Sequence, residues 1–211
     1  MADRQREALI ETARAMNRCG LNQGTSGNVS LRTDGGMLIT PSALPYESLQ
    51  AGDLASVDFE GATTGTQRPS SEWRFHLDIY RQRPDAQAVL HAHPTYCTAL
   101  ACLRRPIPAF HYMVAVAGGR DIRCAPYATF GTQALSDHVL EALQGRRACL
   151  LANHGLVCLA SDLPAALALA VEVEHLAKSY LQCLAVGEPA ILDDAEMERV
   201  LRKFEDYRRG G

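Results

Sequence analysis

The sequence predicts an α/β protein: a single-domain, three-layer α/β/α sandwich around a mixed, mainly antiparallel sheet. Three observations carry that reading. Strand-like runs of alternating or β-branched apolar residues fill the middle of the chain, and helical spacing dominates both ends. A length of 211 residues suits one hydrophobic core, because cores grow to roughly 250 residues before chains divide. No repeat, low-complexity run or linker interrupts the pattern, so residues 1–211 read as one domain.

Residues 3–18 place Ala8, Leu9, Thr12, Ala13 and Met16 at helical spacing and stop at Gly20, a residue that readily ends a helix. "NQGTSGNVSLR" reads as a glycine-rich turn entering a short strand, and "MLITPSALPYESL" as a strand, a proline-marked turn and one helical turn. "LASVDFEG" is a further strand. After Pro69, "SSEWRFHLDIYRQRP" is a helix with serines placed to cap it, ending before Pro84. "AQAVLHAH" follows as a strand, and "TYCTALACL" as a short helix after Pro94. In "RRACLLANHGLVCLAS" two apolar runs flank Asn153, His154 and Gly155, a turn composition that predicts adjacent strands joined in a hairpin. Residues 163–186 keep helical spacing with Pro164 in the first turn, and "DDAEMERVLRKFEDYRR" is a last helix opening on acidic residues.

With 47% hydrophobic and 21% charged residues, the composition is that of a folded globular chain. A net charge of -3 gives no electrostatic reason to bind a polyanion, and nucleic acid is not an expected partner. The seven cysteines form no CxxC pair and sit mostly among apolar neighbours, a reduced, intracellular inventory. The N-terminal stretch carries charges throughout, and the most apolar run, "LPAALALAVEVEHLA", is broken by Glu172 and Glu174. Neither export nor a membrane partner is expected, and the cytoplasm is the default location.

"VLHAHPTYCT" sets His91 and His93 one residue apart in an apolar stretch whose packing requires no imidazole. On a strand, residues two apart share a face, so both rings can reach one point, as metal ligands do; hydrogen-bonded interior histidines are the alternative. His154 on its turn and Glu72 at a helix start would complete a His₃Glu set acceptable to zinc and similar ions. Spacing alone does not bring those four together. His138 and His175 read as solvated helix residues, and His76, four after Glu72, as a packing or supporting residue.

"GTSGN" at 24–28 offers a flexible backbone whose N–H groups can surround an anion, or a plain connection between helix and strand. It matches neither GK[ST] nor GxGxxG, which argues against nucleoside triphosphates and NAD. Ser70 and Ser71 stand at a predicted helix N-terminus, where free N–H groups and the helix dipole favour a phosphate beside Glu72; simple capping competes.

The segments "NQGTSGNVS", "LITPSA", "SSEWRFH", "HAHP", "HYMVAVAGG", "APYATFGT" and "NHG", with a closing "KFEDY", resemble the class II aldolase family in their order and over nearly the whole chain. The resemblance implies one Zn²⁺ per subunit on His91, His93 and His154, with Glu72 as fourth ligand in the resting site and acid/base during turnover. It implies phosphate binding at Gly27, Asn28, Ser42, Ala43, Ser70 and Ser71, with Thr25 beside them. Tyr112 would handle the aldehyde-side proton, and Phe130, Phe204 and Tyr207 would wall or close the site. Tyr207 would come from a neighbouring subunit, since the resemblance implies a homotetramer with interface active sites. The implied activity is reversible cleavage of a phosphorylated ketose to dihydroxyacetone phosphate and an aldehyde such as L-lactaldehyde. L-Fuculose 1-phosphate or a related deoxyketose such as 5-deoxyribulose 1-phosphate is the expected substrate.

Sugar-phosphate 4-epimerases and methylthioribulose-1-phosphate dehydratases share the pattern. Adducin-like binding domains use the same fold without catalysis, but that reading predicts lost ligands, and all four are present. One departure stands out: Ala43 of "TPSA" occupies a position where the family has glycine, and a positive φ there would cost about 1 kcal/mol. The only lysines, Lys178 and Lys203, fall in C-terminal helical segments, consistent with chemistry that forms no lysine Schiff base.

Overall fold

The computed structural model describes residues 2–210. Its strands are β1 (Asn28–Thr33), β2 (Gly36–Ile39), β3 (Ala55–Asp58), β4 (Thr63–Thr64), β5 (Ala88–Ala92), β6 (Cys124–Ala125), β7 (Ala148–Leu151) and β8 (Gly155–Ala160). The helices are α1 (Ala2–Arg18), α2 (Trp73–Gln82), α3 (Thr95–Cys102), α4 (Gln133–Ala142), α5 (Leu163–Val186) and α6 (Asp194–Gly210). The strands form one sheet in the order β4-β3-β2-β1-β5-β8-β7-β6. Every neighbouring pair is antiparallel except β6 with β7, so the sheet is mixed and mainly antiparallel, as the sequence predicts.

Alternation along the strands divides the core in two. On β5, Ala88, Leu90 and Ala92 join the cluster shared with α1, α3 and α5, whereas Val89 faces the cluster shared with α2 and α4. On β8, Leu156 and Cys158 point one way, and Val157 and Leu159 the other. Each fully buried aliphatic or phenyl side chain contributes about 1.5–3 kcal/mol, so both faces hold the central strands firmly. Helix α6 packs against the 3₁₀ segment Tyr112–Ala117 at the periphery. Among the described residues, no helix is long and apolar enough to cross a membrane.

Chain crossover, rather than sequence neighbourhood, places the central strands. β1 lies between β2 and β5, and β5 between β1 and β8. In register, Asn28 at the start of β1 faces His91 near the end of β5, and Ala92 faces Leu156 at the start of β8. Three strand ends therefore meet at one end of the sheet.

Local details depart from expectation. β5 stops at Ala92, so His93 lies just past the strand, where its ring still turns toward His91. The serines do not cap α2 in the expected way: the N-cap is Glu72, without a side-chain cap bond. Ser70 instead accepts the Glu72 N–H through Oγ at 3.3 Å, and its carbonyl accepts from Trp73 at 3.0 Å. A two-residue edge strand is hard to see in a sequence, and both β4 and β6 escaped the reading.

Candidate metal centre and anion cavity

Each member of the His and Glu cluster is delivered by a different local device. His91 is carried by the central strand β5 and is fully buried; its Nδ1 donates to the Leu156 carbonyl across the ladder at 2.9 Å, which turns Nε2 toward the cluster. His93 is held by its backbone N–H, which donates to Asn22 Oδ1 at 3.3 Å. The helix that follows Pro94 is anchored from α5, where the Glu174 carboxylate accepts from the Tyr96 and Cys97 N–H groups at 2.9 and 2.8 Å. His154 rides the β7–β8 turn, in which Asn153 takes the left-handed conformation at φ 56°, one that asparagine tolerates. Gly155 is required there, because a Cβ would stand 2.4 Å from the Ala92 oxygen and 2.7 Å from His93 Cδ2. Glu72 is aimed from the start of α2.

These four residues bring one ligand atom each to within 4.8 Å of one another. The three imidazole centroids are 4.7, 4.8 and 4.9 Å apart, a nearly equilateral set around one point. Glu72 Oε2 lies 2.9 Å from His91 Nε2, and Oε1 lies 3.2 Å from His154 Nε2. His91 Nε2 is also 2.9 Å from His93 Nε2. With its Nδ1 proton committed to Leu156, His91 turns Nε2 toward a carboxylate and another ring nitrogen, a meeting that a proton on Nε2 or a bound cation stabilises.

Burial would raise the Glu72 carboxyl, but the facing His91 and His154 rings outweigh it and hold it well below the ordinary carboxylate range. Burial and the neighbouring rings lower His93 to about 4. An ionised carboxylate and three histidines converging in a buried site are a donor set that fits a divalent metal ion.

The same residues close one end of a cavity of about 370 Å³. Its other walls are Thr25 to Asn28, Pro41 to Ala43, Ser70, Ser71 and Phe130. Two of those segments are tied side by side: the Ser42 N–H donates to Arg68 O and the Ser70 N–H to Thr40 O, both at 3.1 Å. Gly27 has φ 79°, and a Cβ there would meet the His91 oxygen at 2.7 Å. Ala43 sits at φ 61°, so the strain that its sequence position suggested is present. Among the described lining residues there is no arginine or lysine, leaving backbone N–H groups, hydroxyls and amides to meet an anion.

Asn28 faces two ways. It lines the cavity, but its side-chain amide is already engaged, Nδ2 donating to Glu72 Oε2 at 3.2 Å and Oδ1 lying 2.5 Å from His76 Nε2. Tyr112, Phe204 and Tyr207 do not line this cavity in the single chain. They line a separate groove of about 920 Å³ between α6 and the segment Phe110–Met113. Of the other histidines, His111 caps the 3₁₀ segment, His175 is exposed and His138 is half-buried on α4. His76, read from the sequence as a packing or supporting residue, is fully buried behind Asn28.

A sheet end that gathers three histidines and a carboxylate beside a polar cavity is a site that could hold a metal ion next to a small ligand. Comparison with known proteins makes this specific. Residues 7–181 match the family described as Class II Aldolase and Adducin N-terminal domain. The chain is 56% identical over 202 residues to a 5-methylthioribulose-1-phosphate/5-deoxyribulose-1-phosphate aldolase of Rhodospirillum rubrum, covering 96% of this chain and 91% of that one. It is 53% identical over 200 residues to an L-fuculose phosphate aldolase of Escherichia coli, covering 94% and 93%. A solved L-fuculose 1-phosphate aldolase superposes with a TM-score of 0.92 at 43% identity, covering 95% and 96%. The chain belongs to the class II aldolase family and is a lyase of that class.

Proposed function

We propose that this protein reversibly cleaves a deoxyketose 1-phosphate, L-fuculose 1-phosphate or 5-deoxyribulose 1-phosphate, to dihydroxyacetone phosphate and a short aldehyde. The observation that carries this reading is the convergence of four ligand atoms at the end of a cavity lined by N–H groups and hydroxyls. The names of the relatives support a ketose 1-phosphate. A divalent ion, zinc in our reading, held by Glu72, His91, His93 and His154, would act as a Lewis acid that stabilises negative charge developing on the ketose carbonyl.

The chain's own residues do the rest. Ser70, Ser71, Ser42 and the backbone from Thr25 to Asn28 hold the phosphate, fixing the substrate from a point remote from the reacting bond. Cleavage breaks C3–C4: the C4 hydroxyl gives up its proton, its oxygen becomes the aldehyde carbonyl, and the bonding pair passes to C3. Glu72 delivers the proton that C3 takes up, and Tyr112 receives the one that leaves the C4 oxygen. Phe130 at the cavity mouth excludes water. Tyr112 and Tyr207 would reach the reacting end from a neighbouring copy, in a homotetramer whose sites lie between subunits.

The test is coupled detection of dihydroxyacetone phosphate from a panel of ketose 1-phosphates. The reading expects its release with L-fuculose or 5-deoxyribulose 1-phosphate. Epimerised or dehydrated product without carbon–carbon cleavage contradicts it.

A further inference from the structure

Behind Glu72 runs a line of buried polar side chains that leads away from the cavity. Asn28, Ser30, His76 and Tyr80 are 2%, 0%, 0% and 1% exposed, respectively. Tyr80 OH lies 2.9 Å from Ser30 Oγ, Ser30 Oγ 2.7 Å from His76 Nδ1, and His76 Nε2 2.5 Å from Asn28 Oδ1. Asn28 Nδ2 ends the line on Glu72 Oε2 at 3.2 Å.

Hydrogen-bonding capacity, with the burial of the ring, sets the direction of the links. The ionised Glu72 carboxylate only accepts, so Asn28 must present its NH₂ to it and its oxygen to His76. His76 Nε2 must then carry the proton. In the uncharged ring that complete burial favours, Nδ1 is then an acceptor, so the Ser30 hydroxyl donates to it and in turn accepts from Tyr80 OH. The Tyr80 oxygen is supplied by the Val89 backbone N–H. All the donors of this line point toward one carboxylate oxygen, Oε2, whereas the other, Oε1, faces His154 Nε2 at 3.2 Å. Aligned links polarise one another in the same sense. The far end is fastened by Arg32, which donates to the carbonyls of Tyr80 and Arg83 and lies 4.9 Å from the Tyr80 ring centroid. The His76 ring is wedged in place by a stacked Phe75 at 4.7 Å.

We propose that His76, with its proton on Nε2, is a positioning residue that locks the Asn28 amide and through it holds Glu72 Oε2, fixing the direction in which the carboxylate faces the histidine cluster. This rests on the reading of Glu72 as the acid/base. A core that needed only volume at this place would hold apolar residues, since four buried polar side chains stabilise little unless each link is made. Burial lowers His76 to about 3, in keeping with a ring that carries one proton.

The direct experiment is ¹⁵N NMR of the histidine-labelled protein, in metal-stripped and metal-loaded forms, with the His76 signals assigned by their loss in His76→Gln. A neutral ring protonated on Nε2 in both forms is expected. An imidazolium, or a ring protonated on Nδ1, overturns the proposal. Kinetics supply the functional arm: His76→Leu should lower kcat about 10–100-fold at saturating metal, with KM within about twofold and the folded circular dichroism spectrum retained. His76→Gln, whose amide N–H can replace Nε2–H, should recover most of the loss. Equal kcat in His76→Leu and wild type, or no rescue by glutamine, overturns the role.

If His76→Leu does not fold, Ser30→Ala and Tyr80→Phe each remove one link with little volume, and a kcat loss graded by closeness to Glu72 is expected; no loss in either overturns it. Glu72→Gln separates the two layers. Wild-type turnover in that variant rejects Glu72 as acid/base whatever the tautomer, whereas a wrong tautomer with an inactive Glu72→Gln rejects only the chain behind it.

Discussion

Around Glu72, strand ends, a hairpin turn and a helix start fix four ligand atoms within 4.8 Å, and two of those residues are buried. In the groove beneath α6, Tyr112 and Tyr207 are 51% and 82% exposed, and the Tyr112 and Phe204 rings lie 6.5 Å apart. The first region is organised inside one chain, on buried central strands and the turns that join them. The second is open, and its tyrosines gain a task only if a neighbouring copy is set against them. In the proposed function, binding of ion and phosphate is thus separable from handling of the aldehyde, and variants in the two regions should fail differently.

The strongest break in the comparison is Gly155→Ala. Its Cβ collides with the Ala92 oxygen and the His93 ring, so it should destabilise the protein by about 1–3 kcal/mol and also deplete bound metal and turnover, read by urea unfolding and metal analysis. Normal metal content in that variant would mean that the cluster tolerates a shifted turn. Tyr112→Phe should do the opposite, leaving metal content and stability unchanged while turnover falls about 10²-fold, measured as dihydroxyacetone phosphate release. Loss of metal in Tyr112→Phe would erase the distinction.

Two smaller effects sharpen it by touching neither tyrosine nor ligand. Asp78 accepts from the buried Ser136 hydroxyl at 2.7 Å, from Gln133 at 3.1 Å and from Arg81 at 2.7 Å, tying α2 to α4. Burial would raise its carboxyl, but these bonds outweigh that and hold it below the ordinary 3.8. Its folded value being depressed, the stabilisation is complete above 3.8 and is lost as pH falls through the lower folded value. Asp78→Asn should therefore cost about 1–3 kcal/mol near neutrality, and the gap from wild type should narrow in acid unfolding series below the ordinary carboxylate range. Ala43→Gly should be the mildest change, raising stability by about 1 kcal/mol because glycine relieves the positive φ, with the melting temperature as readout.

Much of the site was legible because its residues contradict their surroundings. Two imidazoles inside "AVLHAH" and a third in "NHG" serve no packing purpose, and strand alternation set His91 and His93 on one side even though β5 ends a residue early. The sandwich followed from the order of apolar runs. What the sequence could not supply was adjacency. Glu72 reaches His154 because β5 crosses to lie between β1 and β8, an arrangement fixed by packing of the whole chain. The Asn28 amide likewise reads as a cavity group until His76 is seen behind it, and no local pattern reports that Tyr112 and Glu72 line different hollows.

Metal content measured on the purified protein, its Glu72→Gln form and its His91→Ala form, with aldol cleavage assayed on the same samples, tests the central claim most directly. The account predicts one divalent ion per chain in the wild type, near loss of the ion and of cleavage in His91→Ala, and retained ion with lost cleavage in Glu72→Gln. Wild-type cleavage by a preparation that holds no divalent ion, or full metal occupancy in His91→Ala, would contradict it.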